Sequence, residues 1–275
     1  PLARLQNLIE LWLSENLANV EPSWLTALRN LEVLHLDAVP ADASMLPPSM
    51  KQLFIKKVTL DGLQRLPGGG QLPSNLLDIM SFSKGSSGVG WDALPPIFSA
   101  IMSARPQLYF EVTAVDVMAD FDGFLEASQH VPVFTNSIKG LIVDGGLRPD
   151  ACARLSLLCK NLDTLALLNC ELDHIVTFTG GLKFLPSLRQ VGFFYPSMPP
   201  PLGIGCVILP FIFEASLTHQ FHQFQAPYFV VTLIVNASEM GDEEEAAERV
   251  QEEFDAVLRG WEIMSSTLSR LSQQG

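Results

Sequence analysis

The sequence predicts an α/β solenoid, in which short parallel strands stack and each strand is followed by a turn and a helical or extended return. The clearest observation is residues 162–172, LDTLALLNCEL, which fit the pattern LxxLxLxxCxL at every defining position. Residues 8–16 and 31–39 repeat the pattern, and their first leucines lie 31 − 8 = 23 residues apart. Recurrence at such a spacing is typical of units that bury their apolar faces only by stacking on their neighbours.

Strands of this kind recur along the chain at uneven intervals. Their expected first residues are Leu8, Leu31, Met50, about Leu76, Ile138, Leu162, Leu188 and Tyr228. The successive differences are 23, 19, 26, 62, 24, 26 and 40, so the two longest intervals must contain degenerate repeats or insertions. Within the longest interval, residues 108–117 alternate apolar and polar positions and are expected to form a strand. Near Ser81 and Phe82 the register is open by one residue.

The segments between the strands carry helix signals and turn residues. Residues 24–28 and 151–159 have helical apolar spacing, and Pro149 followed by Asp150 is a typical helix start. Three residues occupy the position inside the bend that follows a strand: Asn16, Cys170 and Asn236. There an amide or thiol can satisfy backbone groups that no sheet reaches, so these residues are predicted to be structural.

Residues 1–238 are predicted to form the solenoid, and residues 239–275 an acidic amphipathic helix that caps its last repeat. Asp242 and Glu245 are spaced as a capping box at the start of this helix. Its apolar stripe recurs at steps of three and four residues, at Val250, Phe254, Val257, Leu258, Trp261, Met264, Leu268 and Leu271. The alternatives for this segment are a helix that docks on another chain and acidic disorder.

Composition and charge argue against several classes of protein. The net charge is −13, and the acidic residues concentrate between positions 239 and 255, so no nucleic-acid partner is expected. Four cysteines without a CxxC pair argue against a disulfide-stapled scaffold and favour a reducing, cytoplasmic location. The longest apolar stretch, residues 202–213, contains Pro210 and is shorter than the roughly 20 residues of a spanning helix, so no membrane insertion is expected. The first residues lack signal-peptide features and enter a repeat at once, which indicates a fragment or a missing cap.

No catalytic, cofactor or metal site is predicted, and the protein is not expected to be an enzyme. Residues 68–70 are three glycines without the GK[ST] of a phosphate loop, and residues 85–90 do not connect a clear strand to a helix. His219 and His222 lie three residues apart, but no neighbouring carboxylate or cysteine completes a ligand set. These segments are interpreted as turns or insertions and as structural or surface histidines.

Two further segments strengthen the repeat interpretation. Residues 46–60 read LPPSMKQLFIKKVTL, and residues 72–76 read LPSNL. Together with residues 162–172 they resemble the leucine-rich repeat family, including its short LPxSL repeats, several of which occur in bacterial effectors. The resemblance implies a curved horseshoe with a parallel sheet on its concave face, and it implies protein–protein recognition as the function.

The positions between the leucines supply the candidate site. In LxxLxL the leucines point into the core and the intervening residues point outwards, so equivalent positions of successive repeats form columns. One column consists of Trp12, His35 and Phe54. Its charged neighbours run from acidic to basic: Glu10, Glu15, Glu32, Asp37, Lys51 and Lys56. Large aromatic rings flanked by charge are typical of protein-binding hot spots, so these nine residues are the candidate protein-binding site.

Other interpretations of these surfaces stay open. A missing cap or another domain of the same protein could cover the aromatic column. A second candidate surface combines Thr164, Asn169, Arg189, Phe194 and Tyr195. The Pro-rich residues 196–225 are too long for a normal return and either protrude as a functional loop or fold back onto the core.

Three functional hypotheses follow from the predicted fold. The first is a non-enzymatic module whose concave face binds a partner protein. The second is the substrate-recognition part of a ubiquitin ligase, of the adaptor or effector type. The third is a structural subunit of a large assembly. The fold hosts many functions, so the partner's identity is not predicted.

Overall fold

The structure is a computed structural model of the 275-residue chain. It describes residues 5–13, 24–40, 44, 46–66, 72–73, 75–85, 88–117, 120–196, 201, 203–204, 207–208, 211, 252, 255 and 259, and the backbone of residues 230–235. Several predictions lie outside the described residues: those for Glu15, Asn16, Asn236, His219, His222, residues 68–70, and most of residues 196–225 and of the helix at 239–275.

The described residues alternate between strands and short helices. The strands are β1 (Glu10–Leu13), β2 (Val33–Ala38), β3 (Gln52–Thr59), β4 (Leu76–Ser83), β5 (Tyr109–Val112), β6 (Val115–Asp116), β7 (Gly140–Asp144), β8 (Thr164–Leu168), β9 (Gln190–Tyr195) and β10 (Val230–Val235). The α-helices are α1 (Leu60–Arg65), α2 (Leu94–Ala104), α3 (Phe121–Ser128), α4 (Pro132–Thr135), α5 (Pro149–Leu158) and α6 (Leu172–Thr179). The predicted α/β class with a parallel sheet is confirmed. None of the described helices is long and apolar enough to cross a membrane.

The chain divides into two compact units. The first contains residues 1–142 and 158–162, and the second contains residues 143–157 and 163–275. In the first unit, β1, β2, β3 and β4 pair in sequence order, and these three pairings are parallel. The strand expected at residues 108–117 is present but interrupted: β5 pairs with the first half of β4 and β6 with its last two residues.

The register of these strands aligns their buried residues in rows. Leu34, Leu53, Leu77 and Phe110 are paired partners across β2 to β5, and each is at most 1% exposed. Ile55, Ile79 and Val112 form the next row and are fully buried. These rows confirm the inward positions that the leucine pattern predicts in β2 and β3.

The register of the fourth strand differs from the one expected. Leu77 and Ile79 occupy the buried positions opposite Leu53 and Ile55, so the repeat counted from Leu76 was out of register. Phe82 lies opposite Val58 and is buried, whereas Ser81 is only partly buried. The aromatic ring therefore takes the next buried position after Ile79, three residues along the strand, as Val58 does after Ile55.

The region between β4 and β7 contains an aromatic core that the repeat pattern did not predict. Phe82 packs edge-on against Phe134 at 5.0 Å between ring centroids, and Trp91 packs edge-on against Phe124 at 5.2 Å. Phe98 contacts Phe134 at 4.8 Å. These rings come from β4, α2, α3, α4 and the 3-10 turn at Trp91–Ala93, so the long interval between recognised repeats folds as helices packed on the sheet.

In the second unit, β8 pairs with β9 and β9 pairs with β10, both in parallel. Leu165 and Leu167 lie opposite Val191 and Phe193, and all four side chains are fully buried. The predicted helix start at Pro149 is confirmed by α5. In the first unit, by contrast, the return at residues 24–28 contains a single 3-10 turn at Leu25–Ala27 and no α-helix.

The structural role predicted for Cys170 is confirmed. Its Sγ donates a hydrogen bond to the backbone oxygen of Gly145 at 2.9 Å, and the Tyr195 hydroxyl donates to the backbone oxygen of Cys170 at 2.8 Å. The preceding residue, Asn169, adopts a left-handed backbone with φ of 51°. The thiol therefore holds a tight bend at the end of β8, as an amide would at the equivalent position.

Candidate functional site

The outward side of the sheet in the first unit brings three aromatic side chains into one stack. The strand register places Trp12 opposite His35, and His35 opposite Phe54. The ring centroids of Trp12 and His35 are 3.6 Å apart with planes 11° from parallel, and those of His35 and Phe54 are 4.3 Å apart at 4°. We call these three residues the aromatic ladder. The predicted column is therefore a continuous stack of planar groups.

The spacing of parallel strands explains the ladder. Neighbouring strands lie about 4.7–4.9 Å apart, close to the separation at which planar side chains stack. Trp12 belongs to β1, which pairs with β2 and with no other described strand. It is consequently the outermost rung, and 70% of its surface is exposed.

Glu10 fixes the two outer rungs. Its Oε1 accepts a hydrogen bond from Trp12 Nε1 at 2.7 Å and lies 3.1 Å from His35 Nε2, which donates to it when that nitrogen carries a proton. Glu10 and Trp12 are two residues apart on one strand, so both side chains lie on the same side of the sheet. The carboxylate stays half exposed, with a side-chain exposure of 50%.

The other predicted residues that the structure describes lie around the ladder rather than within it, and Glu15 is outside the described part. Lys51 Nζ and Glu32 Oε1 form an ion pair at 2.6 Å just before β3 and β2 begin. Asp37 and Lys56 lie two residues beyond His35 and Phe54, towards the other end of the strands. Glu10 and Asp37 therefore lie on β1 and β2, Glu32 lies directly before β2, and the two lysines lie on or directly before β3.

The row of the ladder continues into a charged cluster that sequence analysis missed. Asp78 lies opposite Phe54, and Glu111 lies opposite Asp78. Lys139 forms an ion pair with Glu111. Burial raises the pKa of the Asp78 carboxyl above its ordinary value, and the charge of Glu111 raises it further, whereas Lys139 and His35 oppose the rise. The Asp78 Oδ1 atom is buried and has no hydrogen-bond partner.

Two exposed apolar side chains also lie on the outward side of this sheet. Met80 is two residues after Asp78 and is 55% exposed, and Tyr109 is two residues before Glu111 and is 58% exposed. With Trp12, they are three large apolar groups open to solvent. The outward residues together form what we call the sheet face: Glu10, Trp12, His35, Phe54, Asp78, Met80, Tyr109 and Glu111.

The second candidate surface is wrong in part. Tyr195 is 1% exposed, and burial raises its pKa above the ordinary value, so it belongs to the core of the second unit. Phe194 is partly buried, and its ring lies against Gly192, where an added Cβ would come within 2.2 Å of the ring. Tyr195 therefore does not belong to an exposed surface with Arg189, whereas Phe194 stays partly open to solvent.

The described cysteines and His174 have structural surroundings. Burial raises the pKa of the Cys152, Cys159 and Cys170 thiols to about 12, which makes them poor nucleophiles near neutral pH. His174 belongs to the capping box of α6, where its Nδ1 accepts a hydrogen bond from the Glu171 backbone at 3.3 Å. No group of three potential metal ligands occurs within the described part of the chain.

Comparisons with known proteins do not assign a family. The chain matches no protein-family model, and no curated protein is significantly similar to it. The interpretation of the sheet face therefore depends on its geometry.

Proposed function

We propose that the protein is a leucine-rich-repeat-like solenoid whose sheet face binds a partner protein. The observation that carries this proposal is the aromatic ladder, which ends in a tryptophan that is 70% exposed although its ring is stacked and hydrogen-bonded. A ring held in this way is already in one orientation before a partner arrives. Less conformational entropy is then lost on binding, which is the usual basis of preorganised recognition.

The exposed apolar groups supply the area that a protein interface needs. Trp12, Met80 and Tyr109 lie on one side of the sheet and are each more than half exposed. Burying a large apolar side chain contributes roughly 1.5–3 kcal/mol, and aromatic residues dominate interface hot spots. The partly buried Phe54 and His35 lie behind Trp12 and support it.

The alignment of buried residues from strand to strand supports a solenoid beneath the sheet face. Within the first unit, β1 to β4 follow sequence order, and equivalent buried residues are paired from strand to strand. Each strand then buries its apolar side chains against those of its neighbours, as in stacked repeats. We include the curved horseshoe of the leucine-rich repeat family in this proposal.

Charge favours a partner of defined polarity. Glu10 lies on the sheet face, Asp37 lies on β2 two residues beyond His35, and Lys56 lies on β3 two residues beyond Phe54. A complementary partner would present cations over the two carboxylates and anions over the lysine, which would set its orientation. We include a non-enzymatic role in the reducing cytoplasm in this proposal; its support is that the three described cysteines are free and buried, with raised thiol pKa values.

The test is quantitative affinity purification of the tagged chain from cells of its source, with mass spectrometry. We expect Trp12→Ser to reduce captured partners at least tenfold, because it removes the exposed rung and leaves the core intact. Leu157→Ser is the matched control, since Leu157 is 76% exposed and lies on α5.

Two results would contradict the proposal. One is capture that is equal for the wild type and Trp12→Ser. The other is an equal loss for Leu157→Ser, which would indicate general hydrophobic adhesion. Recovery of ubiquitin-ligase subunits in the Trp12-dependent set would identify the partner class.

A further inference from the structure

The outer end of the aromatic ladder combines an open ring with the carboxylate of Glu10. Residues 5–13 and 31–38, which include β1 and β2, contain Glu10, Glu32 and Asp37 but no lysine or arginine. Glu32 is paired with Lys51, whereas within the described part of the chain Glu10 is hydrogen-bonded to the uncharged indole of Trp12 and lies beside the imidazole of His35. The negative charge beside Trp12 is therefore not balanced by a lysine or arginine of these strands.

The geometry at Glu10 directs this charge towards the exposed ring. Both hydrogen bonds from the ladder, at 2.7 Å and 3.1 Å, go to the Oε1 atom. The carboxylate is half exposed, and its second oxygen takes part in neither of these two hydrogen bonds. A carboxylate and an aromatic face side by side are the two elements that recognise a planar cation.

We propose that this corner, formed by Trp12 and Glu10, receives an arginine side chain of the partner protein. The guanidinium stacks on the exposed face of Trp12 as the next rung of the ladder and donates to the carboxylate of Glu10. This inference rests on the proposed function and gives the chemistry by which the partner is recognised.

Arginine fits the corner better than lysine or an apolar side chain. The existing rungs are planar, nearly parallel and separated by 3.6 and 4.3 Å, and a guanidinium is the planar cation that stacks at such distances. Its forked N–H groups pair with a carboxylate while its plane rests on an aromatic ring, which an ammonium cannot do. The net charge of −13 also attracts a cationic segment over a longer range.

The test uses small probes whose charge differs while their shape does not. The ¹⁵N-labelled chain is titrated with N-acetyl-arginine amide and, separately, with N-acetyl-citrulline amide, its uncharged analogue. The Trp12 indole N–H signal is assigned by its absence from the Trp12→Phe spectrum. We expect saturable shifts of this signal with the arginine amide at millimolar concentration and at least fivefold weaker binding of the citrulline amide.

The Glu10→Gln variant tests the carboxylate. It keeps an acceptor for Trp12 Nε1 but removes the charge, so we expect at least a fivefold loss of affinity for the arginine amide. Glu126→Gln, an exposed carboxylate on α3, is the matched control and should bind as the wild type does. Equal binding of both amides, or unchanged affinity in Glu10→Gln with an unaltered far-ultraviolet spectrum, would overturn the inference.

Partner capture separates this inference from the proposed function. If Trp12→Ser abolishes capture while Glu10→Gln retains it, the sheet face binds its partner by other chemistry and only the arginine assignment fails. If both variants capture normally while the arginine amide still shifts Trp12, the corner binds guanidinium but the proposed function fails.

Discussion

Asp78 is the residue on the sheet face whose ionisation the fold opposes. Its pKa lies above the ordinary value of 3.8, chiefly because of burial and then because of Glu111. The folded protein therefore holds a proton on Asp78 at pH values where the unfolded chain has lost it. It follows that the free energy of unfolding falls as the pH rises from 3.8 through the folded pKa.

Replacing Asp78 by asparagine should consequently stabilise the protein at neutral pH. We expect Asp78→Asn to raise the free energy of unfolding at pH 7, because the amide carries no charge for burial and Glu111 to oppose. The gain should vanish below pH 3.8, where Asp78 is protonated in both states. Urea unfolding at the two pH values measures both effects, with Glu126→Gln as the control. A loss of stability at pH 7 would show that the charge of Asp78 stabilises the fold.

The position of Asp78 beside the aromatic ladder could not be predicted from the sequence. Trp12, His35 and Phe54 could be aligned because single leucines or isoleucines flank them on each strand. In LPSNLLDIMSF, Leu76 and Leu77 are adjacent, so the pattern alone fits two registers. Only the pairing of Leu77 with Leu53 decides between them, and this pairing places Asp78 next to Phe54. The charged continuation of the ladder therefore required the sheet itself.

Among the elements, helix α3 depends on a side-chain cap at its start. Asp120 Oδ1 accepts a hydrogen bond from the Gly123 backbone N–H at 3.0 Å, and Lys84 Nζ lies 3.6 Å from the other oxygen. The cap satisfies one of the backbone donors that a helix leaves unpaired at its first turn, and its negative charge complements the helix dipole. Phe124, which contacts Trp91 in the aromatic core, lies on the same helix.

We expect Asp120→Ala to lower the free energy of unfolding by about 1 kcal/mol. Asp120→Asn keeps the side-chain acceptor of the cap but removes the ion pair with Lys84. It should lower the free energy of unfolding by only a few tenths of a kcal/mol, so comparing the two variants distinguishes the cap from the ion pair. Thermal unfolding followed by circular dichroism measures both variants. Equal losses for the two variants would assign the stabilisation to the ion pair.

The helices between β4 and β7 show why some elements were not predicted. Helix α2 begins LPPIFSAI, and two consecutive prolines argue against a helix interior. In the structure they occupy the first turn, where the backbone N–H would be unpaired in any case and proline is tolerated. The strand at residues 108–117 was predicted from its alternation, although the break after Val112 was not. The alternating pattern was therefore enough to predict the strand at residues 108–117. Helix α2 was not predicted, because its start depends on the tolerance of proline in the first turn.

At the scale of the whole molecule, the leucine pattern was sufficient to predict the parallel sheet. The residues at its defining positions are the ones that pair from strand to strand and are buried. Leu34, Leu53, Leu165 and Val191 all occupy its second defining position, and all are fully buried. The division into two units has no counterpart in that pattern, since β7 begins in one unit and ends in the other. Pattern and spacing specify neighbouring strands, whereas the limits of a compact unit depend on the helices packed around them.

A solenoid and a single cooperative globule differ in how far a local defect spreads. In stacked repeats each unit is stabilised mainly by its neighbours, so a cavity weakens the adjacent repeats first. Leu53→Ala in β3 removes a fully buried side chain and should cost about 2–5 kcal/mol locally. We expect amide hydrogen exchange to accelerate at least tenfold in β2, β3 and β4, while β8 and β9 keep their wild-type protection. Leu165→Ala in β8 is the reciprocal control and should accelerate exchange in β8 and β9 instead. Uniform acceleration in both variants would contradict the proposed solenoid, because it would mean that the chain opens as one cooperative unit.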